Sequence, residues 1–597
     1  MRRATIAAAL LLAVVGLVRP ALTRAATPDA STPSASPFAF AGVIEGSYGT
    51  PWSHADRMSA IPWMAANGLD VYIHAPKFDP YARAEWRDPY PATELADFTS
   101  EIALGQRLGV AWVPDLSPGL PEIPGPPAGV PSADICFSCP ADIAALEAKL
   151  QPFFAAGART LMISFDDVTK ASTHPEDLAH YGQGDAAYGN MNRDLLDTVQ
   201  RHFQAEAGSV PFHLFTVLAD YSGTADTAYL QAVRGQGGLD PAITVLWTGN
   251  VVVSPTIRAH DAAAYAALVG RTKVGIWDNY PTNDYTGNAV GTPIRVFLGP
   301  LEGRDPQLPT AVSGIVANVM NEAAANRFAL GTLARYAADP TSYDPEAAWR
   351  GTIAALGHGD PALTDALTAL AENSRSSSLD RTESVVFGPR RDTFLSALAT
   401  PFWTDAYGAL LTELKREARA ASTIANGWPE LANQIAPFLD RLTAEAGTAT
   451  TTARLLAAQR PALRAQLAGG TVTGRAAPPS PASVAALLAS TVAQHAGDLA
   501  DPHTVYGDRL TPGLSDPNTT GTLFVNENRV DQFVLSATQL TAAWLPHAPQ
   551  AASGVTVTVD GRPVPVGPDG MFAARVGPGS HTLVATDGAG DHTAIVL

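Results

Sequence analysis

The stretch T-L-M-I-S-F-D-D, Thr160 to Asp167, is a short apolar run that ends in two adjacent carboxylates. A strand buried on both faces reads this way, continuous rather than alternating, because neither side meets water. Working outward, the pattern recurs at Phe38–Glu45, Leu69–His74, Val110–Asp115, Phe212–Val217, Ile243–Trp247, Val274–Asn279 and Gly314–Asn318. Between these runs lie Ala92–Leu108, Ala141–Ala155, Asn192–Gln204 and Asp261–Leu268, whose apolar residues fall at helical spacing. Eight strands with helical crossovers in roughly 300 residues predict an α/β fold, a (β/α)8 TIM barrel. An open doubly wound sheet is the alternative, but no G-x-G-x-x-G follows the first run.

A barrel gathers its chemistry at the C-terminal ends of its strands. Those ends carry Glu45 to Gly49, His74 to Lys77, Asp115 to Pro118, Asp166-Asp167, Asp220-Tyr221, Trp247 to Gly249, Trp277 to Asn279 with Asp284, and Asn318. Aromatic faces beside carboxylates and amides suit a sugar, whose C–H faces stack and whose hydroxyls need paired donors and acceptors. Neighbouring carboxylates repel, so within Asp166-Asp167 one is expected to hold its proton near neutrality and serve as an acid. The competing reading is that the pair caps the next helix. Adjacent residues do not supply the two carboxyl spacings of ordinary glycosidases, about 5 Å or about 6.5–9.5 Å. A substrate carrying its own nucleophile would remove that need.

These residues resemble glycoside hydrolase family 84, the β-N-acetylglucosaminidases that include protein O-GlcNAcases and enzymes once named hyaluronidases. The resemblance runs through G-V-I-E-G-S-Y-G-T-P-W (Gly42 to Trp52), Y-I-H-A-P-K-F-D-P-Y with W-R-D-P-Y-P (Tyr72 to Pro91) and S-P-G (Ser117 to Gly119). It continues in F-D-D-V (Phe165 to Val168), L-W-T-G (Leu246 to Gly249), W-D-N-Y-P-T-N-D-Y (Trp277 to Tyr285) and F-L-G-P (Phe297 to Pro300). It covers about half the chain, roughly residues 40 to 340. The resemblance implies hydrolysis with retention, in which the 2-acetamido oxygen attacks the anomeric carbon and water opens the resulting oxazoline. Asp166 then matches the carboxylate that orients the acetamido N–H, and Asp167 the general acid and base. Tyr221, Thr248 and Trp277 match the acetamido pocket, and Asn279 the asparagine near the acid. Gly46, Lys77, Asp284 and Asn318 match positions that bind sugar hydroxyls, Asp284 at C4 and C6, with Tyr48 beside them. No cofactor and no metal are implied. His74 departs from the pattern, standing where the family commonly has an aromatic hydroxyl; Phe78 and Ser47 depart too.

The rest of the 597 residues is read for organisation. Arg2 and Arg3, the apolar run Ala4 to Val18 and the Ala25-Ala26 junction form a secretory signal, too short for a membrane span of ~20 residues. Residues 1–25 are thus a signal peptide and 26–37 a flexible leader, and an exported, extracellular protein is expected. After the barrel (38–340), an Ala/Leu-rich stretch (341–500) predicts a helical bundle, with Asp344-Pro345-Glu346 opening a helix through Leu356. Phe394–Ala420 and Leu431–Ala446 also read as helices, and Ala476 to Pro481 as a linker. In 501–597, the alternation Val555 to Val559 before Asp560-Gly561 predicts a hairpin in a small β domain, and Pro568-Asp569-Gly570 repeats the turn signal. Cys136 and Cys139, the two cysteines, read as a local disulfide in an exported chain, with free thiols as the alternative. A formal net charge of −18 argues against nucleic acid or anionic membrane as partner. Two functions from different classes fit: a hexosaminidase acting on GlcNAc-containing glycans or glycoproteins, and a glycan-binding protein that has lost turnover.

Overall fold

The computed structural model describes residues 36–119, 122, 134–235, 237–287, 289–380, 382, 384–397 and 403–467. Beyond these it describes 508–512, 522–526, 533–536, 539–543, 556–565, 571–574, 582–586 and 592–596. The signal segment, the leader through Ala35, most of the loop between Gly119 and Asp134, the Ala476–Pro481 stretch and Pro568-Asp569-Gly570 lie outside the described residues.

Eight parallel strands close on themselves: β1 (Phe40–Glu45), β2 (Val71–His74), β3 (Ala111–Leu116), β4 (Thr160–Ser164), β5 (His213–Val217), β6 (Ile243–Trp247), β7 (Val274–Asp278) and β8 (Val312–Asn318). Closure is made by β1 against β8, where Phe40 lies opposite Gly314 and Ile44 opposite Asn318. Each expected apolar run contributes one barrel strand. Alternate residues serve two cores. Ile44, Ile73, Val113, Met162, Val217, Leu246 and Val316 fill the barrel interior, while neighbours such as Val43, Tyr72, Ile163 and Ile315 pack outward with the helices. Continuous burial explains why the runs carry no alternation.

The crossover helices are α1 (His54–Ala66), α2 (Ala92–Leu108), α3 (Pro140–Ala155), α4 (Pro175–Tyr181), α5 (Asp185–Ala207), α6 (Ala228–Arg234), α7 (Ala259–Leu268) and α8 (Arg327–Ala338). Ser53 starts α1 with a capping box, accepting from the Asp56 N–H while the Asp56 carboxylate accepts the Ser53 N–H. Helices then continue as α9 (Pro345–Leu356), α10 (Pro361–Glu372), α11 (Phe387–Ala397), α12 (Trp403–Gly427), α13 (Pro429–Gln434) and α14 (Ala436–Leu467). Asp344 caps α9, as the sequence indicates. Arg375 fastens this layer to the barrel loops, with Glu346 at 2.6 Å, Asp380 at 2.9 Å and Glu302 at 3.4 Å.

One helix reading needs correction. Leu431–Ala446 is interrupted at Ile435 (φ −112°, ψ 24°), and Pro437, which has no N–H to donate back across the break, sits in the first turn of the helix that restarts at Ala436. Of Phe394–Ala420, the described parts are helical, in α11 to Ala397 and in α12 from Trp403; residues 398–402 lie outside the described residues. The described C-terminal strands are β9 (Asp508–Pro512), β10 (Thr522–Asn526), β11 (Phe533–Ser536), β12 (Gln539–Ala543), β13 (Thr556–Val559), β14 (Arg562–Val564), β15 (Met571–Ala574), β16 (Thr582–Thr586) and β17 (His592–Val596), all paired antiparallel. Asp560 (φ 52°) and Gly561 (φ 76°) make the tight turn between β13 and β14, as their sequence predicts.

Candidate active site

The eleven candidate sugar-site residues converge at the C-terminal mouth of the barrel. After β1 the chain turns through Gly46, where a Cβ would stand 2.6 Å from Cζ2 of Trp277, so only glycine lets the turn approach that ring. The Gly46 N–H donates to Asn318 Oδ1 at 3.1 Å. Two residues on, the Tyr48 N–H donates to Asp284 Oδ2 at 2.8 Å. After β2, the buried Lys77 ammonium lies 2.6 Å from Asp166 Oδ2 and 5.2 Å from the Trp277 ring centroid.

The two carboxylates after β4 are dressed differently. Asp166 receives Lys77 on one oxygen, while its Oδ1 is buried without a hydrogen-bond partner among the described residues. Asp167 accepts the Tyr48 hydroxyl at 2.8 Å and the Tyr221 hydroxyl at 2.9 Å. Burial first, then the Asp167 charge, push both phenols far above the ordinary tyrosine range, so they remain donors. Asp167 adopts φ 53°, in the left-handed region that a non-glycine residue rarely takes. The pair is not a helix cap: α4 begins at Pro175 with His174 before it.

Amides line the opposite wall. Asn279 Oδ1 accepts Trp277 Nε1 and Asn318 Nδ2, each at 2.8 Å, and its own Nδ2 donates to the Val252 carbonyl at 2.7 Å. Both faces of the amide are thereby fixed. Thr248 spends its hydroxyl on the Val251 carbonyl at 3.1 Å and its N–H on the Tyr221 carbonyl at 3.0 Å, so it braces two loops. Burial pushes two further carboxyls up to about 6. Asp284 is lowered in part by the Tyr48 N–H. Asp115 is lowered in part by Lys77 and accepts from Ser164 Oγ at 2.6 Å.

Two strand-end acids do not join the site. Asp220 pairs with Lys170 at 2.9 Å and accepts Thr227 Oγ1 at 2.6 Å. Asp278 is buried against Arg304, whose Nε donates to Oδ2 at 2.7 Å. Arg83 has no signal in the sequence that would single it out, yet it is buried beside the site. Its Nη1 donates to the Lys77 carbonyl at 3.3 Å, and its guanidinium lies 5.9 Å from the Tyr48 ring centroid. The Thr282 hydroxyl meets Ser47 Oγ at 2.8 Å. For a metal, the closest set among the described residues is Cys136, His174 and Glu176, with ligand atoms within 4.8 Å of one another. Cys136 is in a disulfide with Cys139, however, and has no thiolate to offer.

A family model described as beta-N-acetylglucosaminidase matches residues 41–372, the whole barrel and the two helices after it. The chain belongs to the β-N-acetylglucosaminidase family. The barrel is thus the fold this family resemblance implied. The protein O-GlcNAcases of Rattus norvegicus and Mus musculus are each 29% identical over 303 residues, covering 49% of this chain and 29% of the relative. The match therefore spans less than a third of those relatives. A solved mutant of the Thermobaculum terrenum O-GlcNAc hydrolase is 25% identical, with a TM-score of 0.63 over 79% of this chain and 92% of that one. The structure titled CpGH84B has the same fold, with a TM-score of 0.62 at 23% identity over 79% of this chain and 75% of that one.

Proposed function

We propose that this family member is an exported, retaining β-N-acetylglucosaminidase that removes terminal β-linked N-acetylglucosamine from glycans or glycoproteins. The observation that carries the reading is the unequal dressing of the adjacent carboxylates, Asp166 with one buried oxygen unpartnered and Asp167 between two phenols. Asp166 Oδ1 is suited to accept the acetamido N–H as positive charge develops on the ring of the oxazoline, while Lys77 holds the other oxygen in place. Asp167 gives its proton to the leaving oxygen and later takes one from water. Tyr221 turns toward the acetamido group as substrate displaces its bond to Asp167, with Trp277 and Thr248 closing that pocket. Gly46, Asn318 and Asp284 receive the hydroxyls, and Asn279 holds the wall between them.

The test is hydrolysis of an aryl β-N-acetylglucosaminide by the mature chain, beside the same glycoside lacking its acetamido group. Cleavage of the first alone is expected. Asp167→Asn should lower kcat/KM by ~10²–10⁴ on poor leaving groups, and unchanged turnover would refute the assignment. Binding of N-acetylglucosamine without cleavage would point to the glycan-binding alternative. Export is checked by the N-terminus of the protein recovered from the medium, expected near Ala26.

A further inference from the structure

His74 ends β2 buried inside the wall of the site, at 3% exposure. Its ring stacks on Trp112, centroids 5.4 Å and planes 20° apart, and lies 4.8 Å from Phe98. Nδ1 stands 3.6 Å from Glu45 Oε2 and Nε2 3.7 Å from Asp79 Oδ2, ion-pair rather than hydrogen-bond distances. A neutral imidazole has one N–H and could face only one of these carboxylates as a donor; the cation faces both.

Both carboxylates hold the backbone of the sugar site. Glu45 directly precedes Gly46, and its Oε1 accepts the Trp52 N–H at 2.7 Å, closing the turn that carries Tyr48. Asp79 lies two residues beyond Lys77, and its Oδ1 accepts the N–H groups of Tyr81 and Ala82 at 2.8 Å and 3.3 Å. We propose that His74 is a positioning residue, a buried imidazolium strut that ties Glu45 to Asp79 and thereby sets the gap between the Gly46–Tyr48 turn and Lys77. Without its proton, two buried carboxylates face a neutral ring, and the two loops lose their register.

The surrounding charges favour the cation. Glu45 comes from β1; from α1 comes Arg57, 3.9 Å from Glu45 Oε2 and 3.0 Å from Glu101 Oε1 of α2. Glu94 of α2 also senses the His74 charge. Tyr72 of β2 donates to Glu45, and Tyr90, between β2 and α2, donates to Asp79 at 2.9 Å. Lys149 of α3 lies 4.1 Å from the Tyr90 ring centroid and also interacts with Asp79, while β3 lays the uncharged Trp112 against the ring. Burial pushes His74 down and Arg57 opposes its charge, but Asp79 and Glu45 outweigh both and hold it up at about 9. A histidine raised in the folded state stabilises fully below its unfolded value, and that gain is lost as pH rises through the folded one.

The proposal rests on the sugar-binding reading of Gly46 and Lys77, so the experiment has one arm that needs sugar and one that does not. The dissociation constant of N-acetylglucosamine and the Tm of the full chain are measured from pH 7 to 10. Wild type is compared with His74→Gln and with His74→Tyr, which restores a neutral donor. The wild type should lose affinity by about fivefold or more between pH 8 and 10, and its Tm should fall by about 2 °C or more. Both alkaline changes should be absent from the variants. Parallel pH curves in all three proteins would overturn the strut. An NMR titration of His74 in the wild type covers the case of variants that do not fold, and a midpoint near the ordinary 6.5 would overturn it too. If no protein bound the sugar while only the wild type lost stability in alkali, the strut would stand and the proposed function would fall.

Discussion

At the scale of single residues, the same amino acid does opposite work according to its surroundings. Asp284 and Asp115 are aspartates that burial lifts to about 6, whereas the equally buried Asp278 is spent on an ion pair with Arg304. The lifted pair gives a pH prediction with a definite sign. Folded Asp284 and Asp115 bind protons more tightly than the unfolded chain does, so stability falls as pH rises from the unfolded value of about 4 to about 6 and is level above it, a loss on the order of 2 kcal/mol per group. Sugar binding runs the other way, because ionised Asp284 is the better acceptor for hydroxyls. Between about pH 4 and 6 urea unfolding should show stability falling, while affinity for N-acetylglucosamine rises through about pH 6. Asp284→Asn should flatten the affinity change, and an unaltered slope would reject its role. The family resemblance marks Asp284, but the surroundings that set these aspartates apart are not legible from residue identity. Single-letter context marks an acid at a strand end, but which acid meets a lysine, a phenol or a guanidinium depends on side chains up to hundreds of residues away. Lys77 finds Asp166 across 89 positions, and Arg83 carries no local signal at all.

At the scale of elements, hydrophobic runs proved more readable than helices. All eight strands are legible because a strand with two buried faces has nowhere to put a polar side chain except its ends. The short helices α4 and α6, seven residues each, escaped because so few turns cannot display a period. Strand ends also depend on what lies beneath the site. Arg304 presents a fork to Asp278 at the end of β7 and also donates to the carbonyls of Pro255 at 3.1 Å and Glu302 at 2.8 Å. Arg304→Met should leave a buried carboxylate unpaired and destabilise the fold by about 3–5 kcal/mol, read by chemical denaturation. Replacing Asp278 as well, by Asn or Leu, should recover part of that loss; no recovery would mean that the arginine's carbonyl contacts, not the ion pair, are what β7 needs.

At the scale of the whole molecule, the charge of −18 and the acids at the barrel mouth combine into one field. Aryl N-acetylglucosaminides with a cationic leaving group should therefore have a higher kcat/KM than neutral ones of equal leaving-group acidity. The advantage should shrink as ionic strength rises from about 0.01 to 0.15 M, over which the screening length falls from about 30 Å to 8 Å. Equal salt dependence for both substrates would show that the mouth is electrically neutral to its visitors. Closure of the sheet has a consequence in time. The first strand to leave the ribosome finds its last partner only when Gly314 follows Phe40, 314 − 40 = 274 residues later. At about 5–20 residues per second that is roughly 14–55 s of waiting. Through that interval the growing chain exposes an unsatisfied strand edge at Phe40–Glu45, so whatever escorts it during synthesis must shield that segment until the ring can be completed.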